Sequence, residues 1–506
     1  MDSIYEVFIL TSCLKLLLIP AYRSTDFEVH RNWLAITHSL PLEQWYTEST
    51  SEWTLDYPPL FAWFEYCLSQ LAAFFDPRML EVQNLNYASP ATILFQRLTV
   101  IASDFVLLVG VKKCADTVPG QGTYLTSPRV RLAALTLGSA GLIMVDHIHF
   151  QYNGLLIGLL LISYAHMTQG RFLKSAFFFT VLLNMKHIFL YLAPAYFVFL
   201  LRNYCVTIPA GGWLPRPQLA NTAKLGLVVL GVFGLSLAPF AALGQLPQLV
   251  SRLFPFKRGL CHAYWAPNLW VFYNLADKLA VFGARRLGVS VPGSAAASMT
   301  GGLVQDVEHA LLPAVRPAAT FALSAAAMLP ALVTLWRRPA DAAAFLRALV
   351  QCALCSFLLG WHVHEKAVLL AVVPLAVLAL RSGPEARLYL LLSAAAHVSL
   401  GPLLFGGREA PARLLLAGLH AGYAAQALPA AAGPPSRAYT GYLAGLAAVA
   451  VYDVIGHRAL GLDGRWPFLP LLVTSLYCAV GVVCCWLALY WHMLFRVEGG
   501  QKIKVR

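Results

Sequence analysis

An all-α, polytopic membrane protein is the fold class that three observations predict. Of 506 residues, 58% are hydrophobic and only 12% charged, about half the charged share of a soluble domain. The apolar residues come in runs of membrane-spanning length. Lysine and arginine concentrate in alternate connections between those runs, the bias that marks cytoplasmic loops. Such a chain has too few polar side chains to cover a water-facing surface, which excludes a soluble enzyme, a disordered protein and a secreted disulfide scaffold. The net charge of +13 does not indicate nucleic acid, because no basic run is interleaved with aromatics. Most of the ten cysteines lie inside apolar runs; these, Cys352-x-x-Cys355 included, read as small core residues.

The first run, residues 5–22, shows no signal-peptide cleavage site and predicts a retained membrane helix. Further runs at 96–111, 132–147, 153–168, 172–186, 187–201, 224–243, 313–336, 344–360, 366–381, 387–405, 412–428, 438–453 and 467–494 bring the total to about fourteen spans. Segments 59–75 and 264–284 are apolar too, but either one spanning alone would reverse every later loop. Basic clusters such as Lys112-Lys113, Arg337-Arg338 and Arg381 with Arg387 would then face outward. Both segments are therefore placed in the interface as amphipathic helices. An even span count returns the C-terminus to the cytosol, where Lys502 and Lys504 resemble a dilysine endoplasmic reticulum retrieval signal. The expected organisation is a single integral membrane domain over 1–506. Within it, 23–95 is a first lumenal loop, 245–312 a long lumenal loop and 313–506 a helical scaffold with a cytosolic tail. The Ala-rich stretch 287–460 reads as scaffold, since Ala favours helix and close approach.

Four polar segments share the side opposite the basic loops. The first holds Asp26, Glu28, Arg31 and Asp56. Asp26 lies four residues beyond the first run, a depth at which a carboxylate can have a raised pKa suited to taking a proton from a sugar hydroxyl. A solvated, salt-paired loop is the other reading of Asp26, Glu28 and Arg31. Asp56, before Tyr57-Pro58-Pro59, reads as a turn or helix-start device. The second segment, Asp146-His147-Ile148-His149-Phe150-Gln151-Tyr152-Asn153, is dense in donors and acceptors. Its i, i+1, i+3 spacing puts only some of these groups on one face, which argues against a metal and leaves ligand binding or an internal network. The third contains Arg252, Lys257, Arg258 and His262; cations on the cation-poor side suit an anionic ligand such as phosphate, although a loop of this length obeys the charge rule weakly. The fourth, His362-Val363-His364-Glu365-Lys366, does not have the zincin spacing. Ionisable groups at a span boundary read as functional, so His364, Glu365 and Lys366 are expected at the cavity of Asp26. Lys186-His187 either joins them or has a core or snorkelling role.

Taken together, these segments resemble the lumenal glucosyltransferases that extend the dolichol-linked oligosaccharide, polytopic glycosyltransferases of the GT-C class. The resemblance is carried by Ser24–Trp33, Leu55–Pro59, Val145–Asn153, Arg252–Gly259 and Val363–Lys366, and it covers most of residues 12–380 and 467–486. Cys261–Asn268 and Asp146–His149 are more similar to the branch that adds an α-1,3 glucose to the mono-glucosylated oligosaccharide. The resemblance implies dolichyl phosphate glucose as donor, a dolichyl-pyrophosphate-linked oligosaccharide as acceptor, an endoplasmic reticulum membrane setting, no metal or other cofactor, and inversion from a β-linked donor to an α-linked product. It implies Asp26 as general base, with Arg252, Lys257, Arg258, Lys366 and His364 around the phosphate. The first glucosyltransferase of the family, or a mannosyltransferase of the same fold, is the nearer alternative. A secondary transporter is the farther one, disfavoured because polar residues gather at one face and no internal halves match.

Overall fold

The computed structural model describes residues 3–495 apart from 119, 121, 123–125, 209–214, 255–258, 262–265, 290–308, 405–406 and 430–433. Among the described residues the chain is helical, with one antiparallel pair of two-residue strands, Val206–Thr207 and Arg216–Pro217. It divides into two compact units. The first comprises residues 1–255, 335–345 and 500–506, and the second residues 256–334 and 346–499.

The first unit contains α1 (Ser3–Leu17), α2 (Thr25–Ser39), α3 (Pro59–Ala72) and α4 (Pro90–Ala115). These are followed by α5 (Pro128–Phe150), α6 (Asn153–Thr168), α7 (Phe172–Met185), α8 (His187–Cys205), α9 (Leu219–Ala242) and α10 (Leu246–Leu253). Local chemistry sets several starts: Ser24 and Ser89 accept backbone N–H bonds at the N-termini of α2 and α4, and proline occupies the first turns of α3, α4 and α5. Helices α4 and α6 pack backbone to backbone. A Cβ at Gly110 would lie 2.6 Å from the Gly158 carbonyl oxygen, and one at Gly158 2.6 Å from Leu107 N, the close approach that small residues permit between membrane helices.

The second unit is built from α11 (Leu269–Arg286), α12 (Pro317–Arg337), α13 (Ala342–Leu359), α14 (Leu369–Ala379), α15 (Gly383–Leu403), α16 (Ala410–Ala427), α17 (Arg437–Ala459) and α18 (Leu469–Phe495); the end of α12 and the start of α13 belong to the first unit.

Every predicted apolar run is helical, but nine helices among the described residues are long and apolar enough to cross a membrane, and α6 and α7 are shorter apolar helices. The expected fourteen spans are thus nine by that measure. The first run shows why: α1 stops at Leu17, before Pro20, because a residue preceding proline is pushed out of the helical region. Its 15 residues reach about 22 Å, against a hydrocarbon core of about 30 Å. Among the described residues, α3 and α11 are not among the helices long and apolar enough to cross a membrane. The tail residues Lys502 and Lys504 lie outside the described residues.

Candidate active site

Asp26 sits in the first turn of α2. Ser24 caps that turn and is itself tied to the second polar segment: its N–H and its hydroxyl both donate to the His149 carbonyl, at 3.1 and 2.6 Å. This joint brings the two segments face to face. The Gln151 amide donates to Asp26 Oδ2 at 2.6 Å, and His149 Nε2 stands 3.3 Å from the same oxygen. Gln151 in turn accepts from Asn153 Nδ2 at 2.9 Å, and Asn153 Oδ1 accepts from Lys186 Nζ at 3.4 Å. A continuous chain of polar contacts therefore runs from a carboxylate to a cation through two amides. Lys186 also lies 4.9 Å from the ring centroid of Tyr57. Burial, and then the neighbouring carboxylates led by Asp56 and Asp26, push the Tyr57 phenol far above its usual range, so it stays neutral beside them. The Asp26 side chain keeps 22% of its surface exposed, whereas Asp146 and Glu65 are buried.

The spacing argument about the second segment is answered by the end of α5, which winds as a π-helix over Ile143–Phe150. His149 faces Asp26, while His147 points inward, 2.9 Å from Asp104 Oδ2, an oxygen that also accepts from Lys15 Nζ at 2.7 Å. Asp146 is structural. It accepts from Asn153 Nδ2 at 2.8 Å and from Gly154 N at 2.6 Å, which caps the start of α6. Phe150 closes the turn with φ +95°, a left-handed conformation that costs a side-chain-bearing residue about 1–2 kcal/mol. Its ring is fully buried against Phe27 and His30.

Two expected binding residues prove to be anchors. Arg31 is fully buried. It grips Glu28 with two 2.7 Å bonds and donates to the carbonyls of Met79 and Glu81, so this pair pins α2 to the following loop and has no face left for substrate. Arg252 donates to the carbonyls of Tyr46, Thr47 and Glu48; its guanidinium holds α10 against the first loop. Asp56 is half-buried, and its charge raises the Tyr46 and Tyr57 phenols further after burial has done so.

Sequence reasoning missed three buried groups behind the site: Lys15 with Asp104, Arg97, and the His30–Glu65 pair at 2.7 Å. Arg97 donates to the carbonyls of Tyr22, His147 and Ile148, at 2.8, 2.8 and 2.9 Å. The available signal was an ionisable residue inside an apolar run.

The second unit assembles the fourth segment with part of the third. Cys261 and Val363 form a parallel bridge, His362 N donates to Leu260 O at 2.9 Å, and His362 Nδ1 is 2.8 Å from Gly259 O. His364 precedes a short 3-10 turn, Glu365–Val368, in which Glu365 is buried and Lys366 half-buried. Lys257, Arg258 and His262 lie outside the described residues.

Comparison with known proteins follows this geometry. The model of the ALG6, ALG8 glycosyltransferase family matches residues 11–489. Over 502 residues the chain is 50% identical to the dolichyl pyrophosphate Glc1Man9GlcNAc2 alpha-1,3-glucosyltransferase of Bos taurus, covering 97% of this chain and 95% of that protein. The same-named protein of Arabidopsis thaliana is 44% identical over 500 residues, covering 95% and 96%. Among solved structures, that of ArnT from Cupriavidus metallidurans bound to undecaprenyl phosphate is 16% identical with a TM-score of 0.34, covering 96% of this chain and 77% of that one. On the extent of the family match and these identities, the chain belongs to the ALG6, ALG8 glycosyltransferase family.

Proposed function

We propose that this protein transfers glucose from dolichyl phosphate glucose to the mono-glucosylated dolichyl-pyrophosphate-linked oligosaccharide. The product is an α-1,3 linkage, formed with inversion at a GT-C type site on the lumenal face of the endoplasmic reticulum membrane. The names of its full-length relatives support the acceptor and the linkage. The observation that carries the chemistry is the partly exposed Asp26 carboxylate, positioned by Gln151 and His149 and linked through Asn153 to Lys186.

Asp26 takes the proton of the acceptor hydroxyl while that oxygen attacks the anomeric carbon from the face opposite the phosphate. The glycosidic C–O bond to phosphate breaks, and dolichyl phosphate departs with the electron pair. A phosphate is already a stable anion, so one carboxylate suffices, unlike the pair needed in glycoside hydrolysis. What helps the departure is nearby positive charge in a water-poor setting. Lys186 is the cation joined to the base, and donor-side roles for Lys257, Arg258, His262, His364, Glu365 and Lys366 follow from the family resemblance.

Asp26→Asn tests this reading. The amide keeps the shape and one acceptor oxygen but cannot take the proton. Removal of a general base lowers the rate by about 10²–10⁴. Microsomes carrying the variant, supplied with donor and mono-glucosylated acceptor, are expected to accumulate the acceptor; transfer at the wild-type rate would sink the mechanism.

A further inference from the structure

The row of polar groups behind Asp26 has a direction. An asparagine or glutamine amide has one donating and one accepting end, and its neighbours decide which way it points. Asn153 is buried between two groups whose roles are fixed. On one side the buried Asp146 carboxylate accepts from Asn153 Nδ2 at 2.8 Å; on the other the Lys186 ammonium, which can only donate, faces Asn153 Oδ1 at 3.4 Å. Both neighbours demand the same orientation. The Nδ2 so placed also donates to Gln151 Oε1 at 2.9 Å, which leaves Gln151 Nε2 to donate to Asp26 Oδ2 at 2.6 Å. Asp146 is itself held in place, because its second oxygen accepts from Gly154 N at 2.6 Å.

We propose that Asp146, besides capping α6, is a positioning residue that orders the amides of Asn153 and Gln151 and so keeps an N–H, not a carbonyl, aimed at Asp26. The proposal rests on the reading of Asp26 as general base. An N–H donated to a carboxylate favours its ionised form, the form that can take a proton. In Asp146→Asn the Gly154 N–H claims the single remaining acceptor, so the new amide nitrogen turns towards Asn153 and two donors meet. Reversal of both Asn153 and Gln151 relieves that clash and points the Gln151 carbonyl at Asp26. An ionised Asp26 opposes the reversal, whereas a protonated one donates its O–H to the carbonyl. The substitution therefore favours the protonated base without touching it.

The sign of this effect separates it from simple charge removal. Loss of a negative charge near Asp26 would by itself make Asp26 easier to ionise, whereas reversed amides make it harder. The other titratable and charged groups facing the row are His149, 3.3 Å from Asp26 Oδ2, Lys186 between α7 and α8, and Tyr57, whose ring centroid lies 4.9 Å from Lys186. Asp104 of α4, with its partners Lys15 and His147, shares Gly154 with Asp146: a Cβ on Gly154 would lie 2.1 Å from Asp104 Oδ1 and 3.5 Å from Asp146 Oδ2. Asp146→Asn leaves all of these residues in place.

The test is the pH dependence of kcat/KM for glucosyl transfer by the purified full chain. Asp146→Asn is expected to move the acid limb up by about one pH unit, with the rate approaching wild type above it. Gln151→Met, which removes the donor to Asp26, should also move the limb up, and adding Asp146→Asn to it should move the limb no further. Should Asp146→Asn fail to fold alone, the exchange Asp146→Asn with Asn153→Asp restores a donor–acceptor pair between the two positions at unchanged net charge. It still reverses Gln151, and it is compared with and without Gln151→Met in the same way. An acid limb that stays or moves down, a rate lowered by the same factor at every pH, or shifts that add in the Gln151→Met background would each overturn the proposal. Asp26→Asn, assayed in parallel, keeps the two failures apart: transfer at the wild-type rate in that variant removes the general base itself, whereas its inactivity confines any failure to the role of Asp146.

Discussion

Arg97→Met tests whether the buried guanidinium behind the site matters to chemistry as well as to folding. Arg97 is 2% exposed and makes three hydrogen bonds of 2.8–2.9 Å, to Tyr22 O ahead of Asp26 and to the carbonyls of His147 and Ile148 beside His149. Each of the three carbonyls left without its donor costs about 1–3 kcal/mol. Against that sum stands the relief of no longer burying a charge, several kcal/mol. The net expectation is about 3–4 kcal/mol of lost stability, read as a lowered thermal midpoint of the purified protein. Activity should fall further, because the carbonyls it grips fix where His149 and Gln151 meet Asp26, and a displacement of about 1 Å at a reacting group costs about 10²-fold. Arg97→Lys keeps the charge and can reach fewer carbonyls, so it should fall between the two. A folded Met variant whose kcat per folded molecule equals wild type would refute the positioning role, and an unchanged midpoint would refute the clamp altogether.

Gly154→Ala should be severely destabilising, by more than about 3 kcal/mol, seen as loss of folded protein on size-exclusion chromatography: the added Cβ would lie 2.1 Å from Asp104 Oδ1, and that carboxylate is held by Lys15 and His147. Glu65 is raised above its usual range, chiefly by burial. The folded state therefore holds its proton more tightly than the unfolded chain, and stability contributed by the protonated form is lost as pH rises from the unfolded value towards the folded one. Glu65→Gln should accordingly raise the thermal midpoint at pH 8, with an advantage that shrinks as pH falls to about 4.5 and below. Burial pushes the Cys261 thiol up to about 11, so at pH 7.5 a thiol reagent should label exposed Cys67 well before Cys261; equal rates would contradict that environment.

The membrane class and the helices were legible because both depend on local properties, the length and apolarity of each run. Spacing also placed Asp26 beyond its run and split the histidines of the second segment. Span number was less legible, since length and apolarity of a helix depend on where it ends, and α1 ends early at a proline-directed boundary that composition does not weigh. The partners of ionisable groups were the least legible. Lys15 and Asp104 lie 89 positions apart, and nothing local to either residue names the other. Arg31 and Arg252 show the same distance problem: each reads as a cation in a polar loop, while Arg31 pairs with Glu28 and the carbonyls of Met79 and Glu81, and Arg252 donates to carbonyls some two hundred positions away.

One local irregularity connects these observations. Had α5 continued with ordinary α-helical phase, residues 147 and 149 would stand about 200° apart around the axis, with no reversal to return the chain to Ser24. The π-helical turn over Ile143–Phe150 and the left-handed Phe150 supply that reversal, at a backbone cost of about 1–2 kcal/mol. Three interactions hold the strained turn: Arg97 on its carbonyls, Asp104 on His147 and the buried Phe150 ring on Phe27. Two of the three come from α4, seven residues apart and hence on one helical face. Gly110, where α4 touches α6, stands about 140° around the axis from Arg97, on a different side of the helix from that face. Helix α4 thus acts as the spine that sets the height of Gln151 and His149 against Asp26, and substitutions along that face should disturb transfer although none of them reaches the sugar.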